Sequence, residues 1–237
     1  MDRLEASRRS AARPGSHTQR LTATSDRDRM MASLIEHGIR TPAVLHAMAG
    51  VPREEFVLEA DRERAYADRA LPIDAPGQTI SQPLMVAVVV EALELHDGDR
   101  ALDVGTGSGY QAAVMAACGA RVVSIERVAS LARTAAERLH RLAYDVEVIE
   151  GDGTLGVPER APFDAIAVGA AAPRLPVALA RQLVEGGRLV VPISDGPNGE
   201  ELTRLRLVNG HWETESLGPC RFVPLIGADG YAGAEAG

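Results

Sequence analysis

The chain has 237 residues, of which 46% are hydrophobic and only 3% aromatic, and it carries a formal net charge of −8. This suffices for one domain with a core built mostly of Ala, Val, Leu and Ile, while the acidic balance argues against nucleic acid as a partner, since binding a polyanion needs a basic excess. All 25 basic residues are arginine, which excludes a Schiff-base lysine and a P-loop lysine alike.

Residues 1–27 are polar and rich in Arg, Ser and Thr, with few large aliphatics, and are expected to be a disordered extension. Its arginines are not followed by an apolar stretch of the kind that marks a secretory signal. The spacing predicts a helix from about Arg27 to His37, with Met30, Met31, Leu34 and Ile35 on one face and Gly38 as its stop. A second helix is predicted to start at Thr41-Pro42, with Thr as cap and Pro in the first turn. Another helical turn is expected over Val51 to Val57, and residues 68–80, broken by Pro72, Asp74, Pro76 and Gly77, read as loop.

From Leu84 onward helices and strands alternate. Helices are predicted over Leu84 to Leu95, Tyr110 to Cys118, Val128 to Ala143 and from Pro176 to Val184. Strands are predicted over Arg100 to Val104, Arg121 to Glu126, Val146 to Ile149, Phe163 to Val168 and Arg188 to Ile193. Leu202 to Val208 and Trp212 to Leu217 flank Asn209-Gly210, a strong hairpin signal. The pattern predicts an α/β, Rossmann-like fold: a mostly parallel sheet, helices on both faces, a C-terminal antiparallel hairpin and added N-terminal helices. The core domain is expected over residues 28–226, with a Gly/Ala-rich flexible tail over 227–237. Such sheets bind ligands beyond the carboxyl ends of their strands, so the positions following 104, 126, 150 and 168 are where chemistry is expected.

Four motifs fall near those ends. In Asp103-Val104-Gly105-Thr106-Gly107-Ser108-Gly109, glycines let backbone approach a ligand closely. The spacing of Gly105, Gly107 and Gly109 is not the G-x-G-x-x-G of a dinucleotide fold, and Asp103 would repel a pyrophosphate but not a cationic amino-acid end. This points from nicotinamide nucleotides to S-adenosylmethionine, which has no phosphate. Glu126, ending the next strand, is placed to accept two ribose hydroxyls. In Gly151-Asp152-Gly153, Asp152 ends the third strand within reach of an adenine amino group, although Gly-Asp-Gly is also a common turn. The fourth motif is Gln78-Thr79-Ile80-Ser81-Gln82-Pro83. On local grounds alone, a Ser leading into a helix is better read as a cap than as a catalytic group, and no G-x-S-x-G elbow suggests a hydrolase. Cys118 and Cys220 lie far apart and the histidines show no HExxH or HxH spacing, so no metal site is expected. No run of about 18 apolar residues suggests a membrane span, and a reducing, cytoplasmic setting fits the cysteine usage.

Taken together, the motifs resemble the protein-L-isoaspartate (D-aspartate) O-methyltransferase family from about Met31 to Ile226. The residues that carry the resemblance are Val51 to Val57, Gln78 to Pro83, Gly105 to Ala113, Ser124 to Arg127, Gly151 to Gly153, Ala161 to Ile166, Gly186 to Pro192 and Arg221 to Leu225. The glycine loop is shared by many methyltransferases, whereas the T-I-S-Q-P and R-F-V-P-L elements are far more specific. The resemblance implies that Ser81 is the active-site serine and reverses the capping preference. It further implies that Thr79, Ile80, Ser81, Phe222 and Val223 contact an isoaspartyl protein or peptide and that residues 73–78 help close over the cofactor; a monomer is expected, although the sequence itself does not reveal the oligomeric state. The cofactor set is then Asp103, Gly105, Gly107, Gly109, Glu126, Asp152 and Gly153. The implied reaction is methylation of the α-carboxylate of L-isoaspartyl, and by extension D-aspartyl, residues. The ester collapses to a succinimide and so begins repair. A same-fold methyltransferase acting on a small molecule or a dedicated modified peptide is the alternative, and a silent cofactor-binding module is a further one.

Overall fold

The computed structural model describes residues 25–194 and 199–232. Most of the extension expected over 1–27, and the last five residues of the expected tail, lie outside that range. The part of the extension that is described is structured: Ser25 caps the first helix, and Arg27 bonds Tyr66 and Glu54.

Two helices open the chain, α1 (Asp26–Glu36) and α2 (Pro42–Gly50), followed by 3-10 turns at Arg53–Glu55 and Glu59–Arg64. Met30 and Leu34 of α1 are buried, but Ile35, expected on the same face, is exposed. Thr41 precedes α2 without capping it; its hydroxyl and its N–H both donate to Glu91 Oε1 at 2.9 Å. A carboxylate on the neighbouring helix is a stronger acceptor than the capping geometry could replace. Residues 68–80 are largely loop, with a two-residue antiparallel pair, β1 (Leu71–Pro72) and β2 (Thr79–Ile80).

The rest is α3 (Pro83–Ala92), β3 (Arg100–Val104), α4 (Tyr110–Ala117), β4 (Arg121–Glu126), α5 (Ala129–Arg141), β5 (Val146–Glu150), β6 (Phe163–Val168), α6 (Val177–Ala180), β7 (Leu183–Ser194), β8 (Glu200–Val208) and β9 (His211–Cys220). The seven-stranded sheet has the order β5-β4-β3-β6-β7-β8-β9. Pairs from β5 to β7 are parallel, and β8 and β9 add antiparallel to them. The expected hairpin is present: Asn209 and Gly210 have φ of 52° and 73°, the positive values that a two-residue turn between twisted strands requires.

Strand alternation divides the core. On one face Ala101, Ala165, Ala167 and Val190 pack under α3, α4 and the N-terminal helices. On the other, Leu102, Val104, Ile166, Val168, Leu189 and Val191 form a second cluster with Leu179 and Leu225. One predicted element is much shorter than expected: the helix after Pro176 ends at Ala180, and Leu183 already pairs with Phe163. Gln182 diverts the chain there. Its carbonyl accepts Phe163 N–H at 2.8 Å, and its side chain bridges Leu155 O and Val157 N.

Candidate active site

The chain runs from β3 outward through β4 and β5, then returns to place β6 on the opposite side of β3. The two connections diverge between β3 and β6, and this is where an α/β sheet opens a crevice at its carboxyl edge. Gly105 follows β3 and Gly169 follows β6, joined through Gly169 N–H to Val104 O at 2.8 Å. The cavity there is lined by Gly105, Gly107, Ile125, Glu126, Val128 and Gly153 on the sheet side. Gln78, Thr79 and the segment Val223 to Ile226 close it from above.

Glu126 is only 6% exposed, yet it lines this cavity. One carboxylate oxygen accepts Gly107 N–H and the other Val128 N–H, each at 2.9 Å. Each oxygen keeps a lone pair for one further donor, the requirement for binding a vicinal diol. Gly153 forms the floor: a Cβ there would lie 2.7 Å from Val104 Cγ1, so only glycine lets the backbone sit this close.

The structure brings Gly105, Gly107, Glu126 and Gly153 together and sets the other three expected cofactor residues apart from the cavity lining. Asp103 is fully buried behind the loop. It shares the Ala101 face of β3 and pairs in register with Ser124 of β4. Gln111 Nε2 donates to one of its oxygens and Ser124 Oγ to the other, both at 2.8 Å, and Ser124 Oγ in turn lies 2.6 Å from Thr106 Oγ1. Burial pushes the Asp103 carboxyl up to about 6, against those two hydrogen bonds, which pull it down. Gly109, with φ of 88°, packs on α5; a Cβ there would lie 3.2 Å from Leu139 Cδ1. The Asp152 carboxylate is turned to its own loop and to the chain end, accepting Thr154 N–H, Thr154 Oγ1 and Ala228 N–H. Burial alone would raise its pKa, but these bonds and the charge of Arg127 hold it below the ordinary value. Residues 227–231, expected to be a flexible tail, thus fold back on this loop: Asp229 N–H donates to Thr154 Oγ1, and Arg174 pairs with Asp229.

A second cavity opens on the other side of Thr79, Gly169 and Val223, the three residues that line both. Ser81, Gln82, Met85 and Phe222 also line it. The local reading of Ser81 as a cap is corrected here: the cap position of α3 is Gln82, with no side-chain cap bond, and Ser81 Oγ has no hydrogen-bond partner among the described residues. Ile80 is buried and reaches only the narrow cleft between Ser81 and the glycine loop. Cys220 lines the second cavity, but burial, with Glu200 and Glu201 nearby, pushes its thiol up to about 12, so it stays protonated. Gly169 and Gln111, which lines the cleft with Ser81, were not expected as site residues. The rule about strand ends pointed to the position of the first; the second falls inside the Gly105 to Ala113 stretch that carries the resemblance, but only its contact with the buried Asp103 gives it a role.

The arrangement is therefore a cavity whose buried carboxylate keeps free lone pairs, meeting at three residues a second cavity with a hydroxyl that has no partner among the described residues. A protein-family model described as protein-L-isoaspartate(D-aspartate) O-methyltransferase matches residues 25–230. The chain is 54% identical over 211 residues to protein-L-isoaspartate O-methyltransferase 1 of Geotalea uraniireducens, covering 87% of this chain and 96% of the relative. It is 54% identical over 200 residues to protein-L-isoaspartate O-methyltransferase 2 of Pelobacter propionicus, covering 84% and 88%. A solved structure from Plasmodium falciparum, described as a putative protein-L-isoaspartate O-methyltransferase in complex with S-adenosyl-L-homocysteine, superposes with a TM-score of 0.72 at 30% identity, covering 84% of this chain and 97% of that one.

Proposed function

This chain belongs to the protein-L-isoaspartate(D-aspartate) O-methyltransferase family, and from that premise we propose how its two cavities divide the work of methylating the α-carboxylate of L-isoaspartyl residues in damaged proteins and peptides. The methyl donor is S-adenosyl-L-methionine, which when bound supplies a methyl group on a positively charged sulfur. The shared name of the relatives favours an isoaspartyl acceptor over a small molecule taken by the same fold.

The donor fits the residues present. Glu126 has the free lone pairs to hold the ribose hydroxyls, Ile125, Val128 and Leu225 offer apolar walls for a flat base, and the cavity carries no basic cluster of the kind a phosphate would need. Asp103 acts from behind, fixing Gln111 and Ser124 and through Ser124 the loop residue Thr106.

On the acceptor side, a carboxylate is ionised at neutral pH, so the reaction needs no strong general base. What remains for the protein is alignment and exclusion of water. Ser81 Oγ meets no base among the described residues, which supports a role as hydrogen-bond donor to the acceptor carboxylate and not as a nucleophile. Thr79, Phe222 and Val223 bound the space in which that carboxylate would lie, with Ile80 buried beneath. Neutralisation of carboxylate by sulfonium favours transfer in a dry pocket. The backbone nitrogen of the residue that follows then attacks the ester carbonyl, losing its proton and expelling methanol, and so closes a succinimide. The free Cys118 and Cys220 suit a reducing, cytoplasmic setting, and no helix among the described residues is long and apolar enough to cross a membrane.

The observation that carries this reading is the meeting of the two cavities at Thr79, Gly169 and Val223, with Glu126 on one side and the free Ser81 hydroxyl on the other. The test is a pair of peptides differing only in Asp against isoAsp at one position, with labelled methyl donor. Label in the isoaspartyl peptide alone is expected; equal labelling of both, or of neither, rejects the assignment.

A further inference from the structure

Arg53, in the turn after α2, has a side chain with no exposure to solvent. Its Nε donates to Ala65 O and its Nη2 to Ser81 O, both at 2.7 Å. The guanidinium lies over the ring of Tyr110, 4.7 Å from the centroid, and Phe56 packs edge-on to that ring. The remaining nitrogen, Nη1, is buried without an acceptor among the described residues. An unmet buried donor is destabilising, and an apolar side chain of similar volume often packs as stably as a buried charge. Stability alone is therefore a poor reason for arginine here.

Its contacts suggest a better one. Ser81 lies directly after β2 and directly before Gln82, the cap residue of α3, so its carbonyl belongs to neither ladder. The guanidinium supplies the missing donor while anchored on Tyr110, the first residue of the helix that the glycine loop opens. One rigid fork thus links the acceptor-side turn to the donor-side loop. We propose that Arg53 is a positioning residue, holding the Ser81 carbonyl inward so that the Ser81 hydroxyl faces the place where the two cavities meet. This rests on the role given to Ser81 above and deepens it.

The test uses the full chain as Arg53→Met, Arg53→Lys, Ser81→Ala and the double variant Arg53→Met/Ser81→Ala. Thermal unfolding, donor Kd by calorimetry, and kcat and KM on the isoaspartyl peptide are read for each. Loss of the clamp is expected to lower kcat/KM of the Met variant at least about tenfold, the scale of one hydrogen bond made by a charged group. Donor Kd should stay within about twofold, and in the Ser81→Ala background the same substitution should cost less than about twofold more, as coupled residues require. The Lys variant, which keeps the charge but not the planar fork, should fall between. A folded Met variant with unchanged kcat/KM overturns the proposal, as does a loss of the same size with and without Ser81. If the Met variant fails to fold, the Lys variant carries the cycle on the same criteria. If neither folds, Arg53 is a folding element and the positioning role is rejected. A parent enzyme inactive on the isoaspartyl peptide would instead overturn the substrate assignment and this inference with it, whereas an active parent with insensitive Arg53 variants removes the inference alone.

Discussion

The two sides of the crevice treat their polar groups in opposite ways. On the donor side, behind the carboxyl ends of β3 and β4, they satisfy one another: Asp103 takes Gln111 and Ser124, Ser124 meets Thr106, and Glu126 takes two backbone N–H groups before any ligand arrives. On the acceptor side the Ser81 hydroxyl has no partner among the described residues, and most of the wall comes from two segments far apart in the chain, one with Thr79, Ser81, Gln82 and Met85, the other Pro219 to Val223. A preorganised network suits a ligand of constant shape. A sparse, open one suits an acceptor whose flanking residues differ from one damaged protein to the next, with recognition concentrated on the carboxylate itself.

The contrast can be broken first at Asp103. Its folded-state pKa, about 6, lies above the ordinary 3.8, so the folded form holds its proton more tightly than the unfolded one. The contribution is fully present below about pH 4 and is lost as pH rises through 6, amounting to up to about 3 kcal/mol. Asp103→Asn removes this dependence, and Gln111 and Ser124 can reverse their roles to satisfy an amide. Thermal unfolding at pH 5 and pH 8 should show the variant gaining on the parent at the higher pH; parallel pH trends would mean that Asp103 is not the buried acid described. Next comes Glu126→Gln, which weakens the charged hydrogen bonds on the donor side by about 1.5–3 kcal/mol, a roughly 10- to 100-fold rise in donor Kd by calorimetry. Peptide KM at saturating donor should hardly move, and a matching rise there would erase the division between the cavities. Gly109→Ala should lower stability by about 1–2 kcal/mol, because its positive φ is strained for any L side chain. Donor Kd should stay unchanged, since Gly109 faces Leu139 and not the cavity; a clear loss of affinity would return it to the binding site. The smallest effect expected is for Asp229→Ala, which removes a partly exposed ion pair with Arg174 and should cost under about 1 kcal/mol in chemical denaturation.

The same contrast explains what could be read in the sequence. β3, β4 and β6 were predicted to their ends because each is a short apolar run closed by glycine or charge, with both faces buried. The Asn209-Gly210 turn was legible because its φ values admit few residues. Strand-end residues pointing forward, such as Glu126, could be placed by position alone. Asp103 could not, because side-chain direction alternates along a strand, and its face turns it towards α4 instead of the cavity. Asp152 and the chain end illustrate another limit: a Gly/Ala-rich tail reads as loose until its backbone N–H groups meet a carboxylate far away in the chain. Ser81 read locally as a cap; only its position between two cavities, a tertiary fact, separates it from the many serines that precede helices. Arg53 lies in the Val51 to Val57 stretch that carries the resemblance, but nothing in it signalled burial, since an arginine in a turn beside two glutamates is ordinarily solvated.

The most direct test of the divided site is Ser81→Ala measured on both sides at once, with donor Kd by calorimetry and kcat/KM on an isoaspartyl peptide. The account predicts kcat/KM down by about 10- to 100-fold with donor Kd within about twofold, the loss of one hydrogen bond to a charged acceptor. Unchanged kcat/KM, or a loss of donor affinity as large as the loss of activity, would contradict it.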